Sequence, residues 1–340
     1  MHFVPVVDQN QKSLMPTIPS RARRFIKSGK ATPFFKKGIF CIRLNQKPSD
    51  NKTQDIAIGI DPGSKREGFT VKSKAHTYLN IQTKAIDWVK DALEVRRNMR
   101  RSRRFRKTPC RKNRQNRKRG SLPPSTKARW QWKLNLAKII TKIFPITHII
   151  VEDVKAKAKK NSKKWNCNFS PLEVGKHWFY SEIEKRAKLE TKSGFDTYTE
   201  RNNLGLKKTG KKTEEVFSAH CVDSWVLANM IVGGHKKPDN EDILVLNPIR
   251  VHRRQLHRLQ PKQGKRTNYG STRSLGFKRG SLVKHSKYDL CYMGGYSKGR
   301  VSLHDVQSGT RLCQNAKVED VKFLSYNTLI REELVHFLPT

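Results

Sequence analysis

Three acidic residues stand where a hydrolytic metal site could be built. Asp61 closes the β-rich run DIAIGID (55–61), Glu152 follows directly on the run THIIV (147–151), and Asp223 lies within the apolar stretch EEVFSAHCVDSWVLANMIV (214–232). Hard divalent ions such as Mg²⁺ take oxygen ligands. A pair of them, about 3.5–4 Å apart, can hold both the attacking and the leaving oxygen of a phosphodiester. Two adjacent parallel strands ending in acids would bring both carboxylates to one sheet edge. His220 precedes Asp223 by three residues, so a helix puts both on one face, where His220 could activate an attacking water. The expected ligands are Asp61, Glu152 and Asp223, with two Mg²⁺ ions and Mn²⁺ as a substitute. Glu152 is preferred to its neighbour Asp153 because the longer arm follows Val151 directly. Singly, each acid also reads as a cap or turn residue and His220 as a packing histidine; only the set favours a site.

The elements that must position these groups follow from composition and periodicity. Pro62 and Gly63 break the first strand, and GFTVKS (68–73) offers an antiparallel return. RWQWKLNLAKIITKIF (129–144) spaces Trp130, Leu134, Ala137, Ile140 and Phe144 as a helix with a face for a sheet. It leads into the second acid-tipped strand, a helix-to-strand unit of the α/β kind. PLEVGKHWFYSEIEKRAK (171–188) reads as a helix and 214–232 as a strongly apolar one. Residues 1 to about 50 read as strand, short helix and strand, 155–165 as a Lys-rich loop, and everything after Pro238 as a small β module of short strands and glycine turns.

Charge points to the partner. Lys and Arg number 72 against 28 acids, a formal net charge of +44, which repels itself strongly unless polyanion is bound. Between Arg96 and Arg119 there are fourteen Lys or Arg and no acid. Such a block is commonly a solvated tail; here it lies inside the chain, in helix-forming company, and reads as a helix sheathed in phosphate. The composition alone also fits a basic protein that binds RNA as scaffold. No run of about 18 apolar residues could span a bilayer, and the first residues lack a secretory signal pattern, so a soluble, cytoplasmic setting without membrane contact is expected, a nucleoid or an organelle origin included. Six scattered cysteines with no CxxC pair read as reduced and argue against a zinc ribbon.

Several motifs together resemble the transposon-encoded IscB/IsrB family. VVDQNQKSLMPTIPSRARRFIKSGKA (6–31) is similar to its N-terminal PLMP domain, with Ser13 where the first proline is usual; IGIDPGSK (58–65), IIVEDV (149–154) and HCVDSWVLA (220–228) resemble its three RuvC motifs; RRNMRRSRRFRK (96–107) resembles its arginine-rich bridge helix. RRQLHRLQP (253–261) and GFKRGSLV (276–283) are similar to its C-terminal portion. IscB carries an HNH nuclease between the second and third RuvC motifs. Here that interval holds one histidine, His177, before the third motif and no paired zinc cysteines, so the resemblance is to the HNH-lacking IsrB type.

The resemblance implies an RNase H-like RuvC core split in sequence. Its expected parts are a PLMP domain (1–52), RuvC part I (53–88), bridge helix (89–121), RuvC parts II and III (122–235) and a C-terminal β-rich region contacting RNA and the DNA motif (236–340). It implies an RNA-guided nickase: a long structured guide RNA pairs with one strand of a double-stranded DNA target, and the displaced strand is cut beside a short duplex motif. Arg96, Arg97, Arg100, Arg101, Arg103, Arg104, Arg106 and Lys107 would grip RNA, since guanidinium forks suit phosphate. Arg273, Lys278 and Arg279 are candidate motif readers, although cationic loops also serve as plain phosphate contacts. A protein monomer in a ribonucleoprotein is expected. An unguided junction-resolving nuclease and a catalytically idle RNA-binding protein are the alternatives. The order Asp, Glu, Asp argues against strand-transfer enzymes of related fold, whose Glu comes last, and no acid of the set is missing.

Overall fold

The structure is a computed structural model that describes residues 3–48, 52–107, 122, 124–155, 171–211, 213–248, 275–278, 280–306, 308–326 and 329–332. The chain divides into two compact units, Met1–Val245 and Leu246–Thr340.

The first unit opens with β1 (Val4–Val7), β2 (Ser13–Thr17), α1 (Pro19–Lys27), β3 (Ala31–Lys36) and β4 (Ile39–Leu44), whose strands form one sheet in the order β2-β1-β4-β3. The apolar runs predict two strands and a helix here; hairpin returns at both ends double the strand number. Val4, Val6, Leu14, Ala22, Ala31 and Ile42 make its core.

The central sheet contains β5 (Ile56–Asp61), β6 (Arg66–Ser73), β7 (Thr77–Lys84), β8 (His148–Glu152), β9 (Lys188–Lys192) and β10 (Ile243–Pro248), in the order β10-β7-β6-β5-β8-β9. β5, β6 and β7 form an antiparallel meander, whereas β8 runs parallel to β5, β9 to β8 and β10 to β7. The register Ile60↔Val151 sets the ends of β5 and β8 side by side, which is the arrangement the acid-tipped strands require. β10 corrects the expectation that all after Pro238 belongs to a separate β module. Its run ILVLN lacks alternation because it is buried in the central sheet.

Helices cover both faces of this sheet, and the glycines decide how closely. Between strands lie α2 (Val89–Phe105), α3 (Pro124–Ile140), α4 (Pro171–Glu184), α5 (Gly194–Asn203) and α6 (Phe217–Val232). α6 crosses the face that carries Gly59, Asp61, Gly68 and Thr70: a Cβ on Gly59 would lie 1.8 Å from the Ser224 carbonyl oxygen, and one on Gly68 would lie 2.4 Å from that of His220. On the opposite face α3 docks through Trp132, which donates to Thr83 (3.1 Å), and through Lys133, which pairs with Glu67 at 2.6 Å. With a helix on each face, β6 is buried almost throughout.

α2 is different. From Arg96 to Lys107 every residue is exposed except Arg103, which is half-buried, and Phe105 is 90 % exposed. Among the described residues from Arg96 onward no apolar seam holds this helix, as expected of a segment with no face to bury. The remainder of the basic block, 108–121, lies outside the described residues.

The second unit contains β11 (Ser281–His285), β12 (Asp289–Ser297), β13 (Arg300–Asp305), β14 (Arg311–Ala316) and β15 (Val321–Tyr326), an antiparallel sheet in the order β14-β13-β12-β11-β15. Val283, Cys291, Met293, Val301, Leu303, Ala316 and Val321 form its core. Cys41, Cys221, Cys291 and Cys313 are free thiols. Among the described residues no helix is long and apolar enough to cross a membrane.

Candidate active site

Chain-distant groups meet at the end of β5. Asp61 is the last residue of that strand, and the Gly63 amide donates to its carbonyl at 3.0 Å, turning the chain away. Because Gly59 and Gly68 carry no Cβ, α6 lies against β5 and β6 closely enough to bring His220 and Asp223 to Asp61. His220 Nδ1 lies at hydrogen-bond distance, 3.2 Å, from Asp61 Oδ2. The three side chains are buried, Asp61 at 7 %, His220 at 6 % and Asp223 at 3 % exposure.

Glu152 ends β8 on the next strand. Ser193, directly after β9, caps α5 through a reciprocal hydrogen-bonded box with Asp196, and the helix starts against Glu152: a Cβ on Gly194 would stand 2.9 Å from Glu152 Oε1. Burial, then the like charges of Asp61 and Asp223, push the Glu152 carboxyl up to about 7. Asp153 takes a different role. It pairs with Lys176 at 2.7 Å and accepts from Tyr180 at 3.1 Å, tying β8 to α4.

Two cations that no sequence motif singles out complete the cluster. Arg201 of α5 donates to Asp223 Oδ1 at 2.5 Å. Lys208 pairs with Asp223 Oδ2 and stands 4.0 Å from Asp61 Oδ2, and the carboxylates around it raise its pKa against the opposing effect of burial. Their segment has no marked apolar periodicity. Its one local signal is the capping pattern Ser193-x-x-Asp196, which locates α5 but not its target.

The donor set suits a hard divalent cation: three carboxylates, no thiol, and a mutual repulsion that a cation would relieve. Among the described residues, no group of three or more His, Cys, Asp and Glu side chains is arranged to hold a metal ion. Arg201 and Lys208 take both oxygens of Asp223. Seating a divalent ion on Asp61, Glu152 and Asp223 therefore requires these two cations to turn aside.

Of the other candidate residues, Arg96, Arg97, Arg100, Arg101, Arg103, Arg104 and Arg106 lie on or just past α2, and Lys107 follows at φ 49°. Lys278 lies in the second unit beside β11, while Arg273 and Arg279 lie outside the described residues.

Residues 4–166 match the family described as RRXRR protein, and residues 100–104 of α2 read RRSRR. No curated protein matches the chain. Among solved structures, the T. thermophilus RuvC in complex with Holliday junction substrate aligns at 12% identity and TM-score 0.29, covering 53% of this chain and 98% of that one. A Thermus thermophilus RuvC structure aligns at 12% identity and TM-score 0.28, covering 51% and 90%.

Proposed function

We propose that this chain is an RNA-guided DNA endonuclease that nicks the displaced strand of its target. The observation that carries the reading is the meeting of Asp61, Glu152 and Asp223, from three separate stretches of sequence, at one edge of the central sheet of a chain with net charge +44. Asp61, Glu152 and Asp223 would hold divalent ions, Mg²⁺ or Mn²⁺, which when bound supply Lewis-acid polarisation of the phosphodiester and a water of lowered pKa. His220 fixes the Asp61 carboxylate through its Nδ1 contact and lies where it can manage the proton of the attacking water. Arg201 and Lys208, released from Asp223, are placed to face the phosphates of the strand being cut. Exposed α2 arginines take the guide RNA backbone, where bidentate forks gain most. Arg273 and Arg279 remain the candidates for the duplex motif, and Lys278, seated over the Tyr326 ring, is assigned to RNA instead. The proposed organisation is PLMP domain, RuvC part I, bridge helix, RuvC parts II and III, and C-terminal region. With one such carboxylate cluster among the described residues, the expected product is a nick.

The test is a purified chain with its copurifying RNA, assayed on a supercoiled plasmid bearing the RNA's complement. Asp61→Ala should reduce nicking by more than about 100-fold, since even residues that merely orient a metal ligand cost about 10–100-fold. RNA retention should be unchanged. Nicking that persists in Asp61→Ala refutes the site, and nicking that needs no RNA refutes the guide.

A further inference from the structure

In the second unit a bulge in an edge strand builds an aromatic groove. Among the described residues β15 pairs with β11 alone, and the register runs Val283↔Phe323, Leu282↔Ser325, Ser281↔Tyr326, with an irregularity between Leu282 and Val283. In an unbroken strand residues 323 and 326 would point to opposite faces. The extra residue, Leu324, resets the alternation. Phe323 and Tyr326 therefore stand opposite Val283 and Ser281, two residues apart on β11 and both buried on its inner face, so the two rings share a side. They overhang the edge of the core, Phe323 at 51 % and Tyr326 at 41 % exposure. With Leu275, Phe277, Lys278 and Ser281 they line a cavity of about 380 Å³. Phe277 leans on Phe323 at 6.3 Å between ring centroids, and the Lys278 ammonium sits 4.5 Å from the centre of the Tyr326 ring.

We infer that this groove binds an unpaired nucleotide of RNA, its base stacked on Phe323 and its phosphate on Lys278. A half-exposed aromatic face beside a fixed ammonium matches the two parts of a nucleotide, and base stacking on aromatic side chains is tolerant of sequence. Paired DNA buries its base faces; structured RNA presents unstacked bases in loops and bulges without prior strand opening. Charge complementarity favours a polyanion, because residues 246–340 hold eighteen Lys or Arg against six acids. The inference deepens the guide-RNA reading and rests on it for the source of the RNA, not for the stacking.

The experiment uses the full chain and a 12-nucleotide single-stranded RNA containing 4-thiouridine, crosslinked by ultraviolet light and mapped by mass spectrometry, with affinity measured in parallel. Adducts are expected on the peptide that begins at Phe323. Phe323→Ala should weaken single-stranded RNA binding about tenfold, within the range for removing one base–aromatic stack, while a duplex RNA of equal length binds as before. Phe323→Tyr should restore binding, and Lys278→Gln should lower the log–log salt slope by about 0.7. Unchanged circular dichroism certifies the fold of each variant. Equal weakening for duplex and single strand, adducts confined to other peptides, or adducts with single-stranded DNA but not RNA would each overturn the groove. A chain that crosslinks RNA here yet nicks its target with no RNA present keeps the groove and loses the guide.

Discussion

At the scale of single residues, the candidate site is an electrostatic contest. Lys208 and Arg201 compete with any divalent ion for the oxygens of Asp223. Unit charges 4 Å apart interact by about 4 kcal/mol at an effective dielectric constant near 20. Lys208→Met should therefore tighten Mn²⁺ binding by at least about tenfold in calorimetric titration of the RNA-free chain; equal or weaker binding would show that Lys208 does not compete. A second buried cation acts on stability. Lys72 is fully buried, donating to the carbonyls of Ser73 and Gly233 and lying 5.4 Å from the centre of the Trp225 ring. Burial, opposed by the charge of Asp239, pushes its pKa down to about 8 from the ordinary 10.5. Between these values the unfolded chain binds the extra proton, so the Lys72 contribution to stability rises as pH increases from about 8 to 10.5. Denaturant melts across that window should show a shallower rise in Lys72→Met than in the parent chain; parallel curves would contradict the assignment.

At the scale of elements, glycine decides whether the site assembles. The Ser224 carbonyl oxygen and the Ala228 amide nitrogen of α6 lie where a Gly59 Cβ would go, and backbone atoms cannot swing aside as a flexible side chain would. Overpacking of this kind costs about 1–3 kcal/mol. Gly59→Ala should lower stability by that amount and push α6, with His220 and Asp223, off β5. Nicking should then fall more steeply than the melting temperature alone explains, and an unchanged melting temperature would show that the seam has room to spare. On the far face, α3 is fixed by the Lys133–Glu67 pair, in which Glu67 Oε2 is buried without a hydrogen-bond partner among the described residues. α2 precedes this docked helix and has no such seam, which leaves its arginines available to phosphate.

At the scale of the whole molecule, net charge sets the salt response. Replacing Arg96, Arg97, Arg100 and Arg101 together by Gln should reduce the steepness of log affinity for RNA against log salt by about 0.7–0.9 for each phosphate no longer neutralised, measured by filter binding over a salt series. An unchanged slope would remove α2 from the RNA interface. Charge on this scale belongs to composition and survives any rearrangement of the fold, so it is legible before any strand is placed.

The sequence by itself determined which acids could bind a hard cation, that two of them end strands, that His220 and Asp223 share a helical turn, and that a basic helix has no buried face. Each follows from local chemistry: a β-branched run, a three-residue spacing, a stretch without apolar period. Tertiary structure alone decided the rest. Arg201 and Lys208 reach Asp223 because α5 starts beside Glu152, a consequence of β9 pairing with β8 that no local pattern announces. β10 joins the central sheet through hydrogen bonds to β7, more than 150 residues earlier, a partner that an apolar run cannot name. Phe323 and Tyr326 share a side only because β11 and β15 pair out of register by one residue. Hydrogen-bond register is a property of two strands together, so it cannot be read from either one.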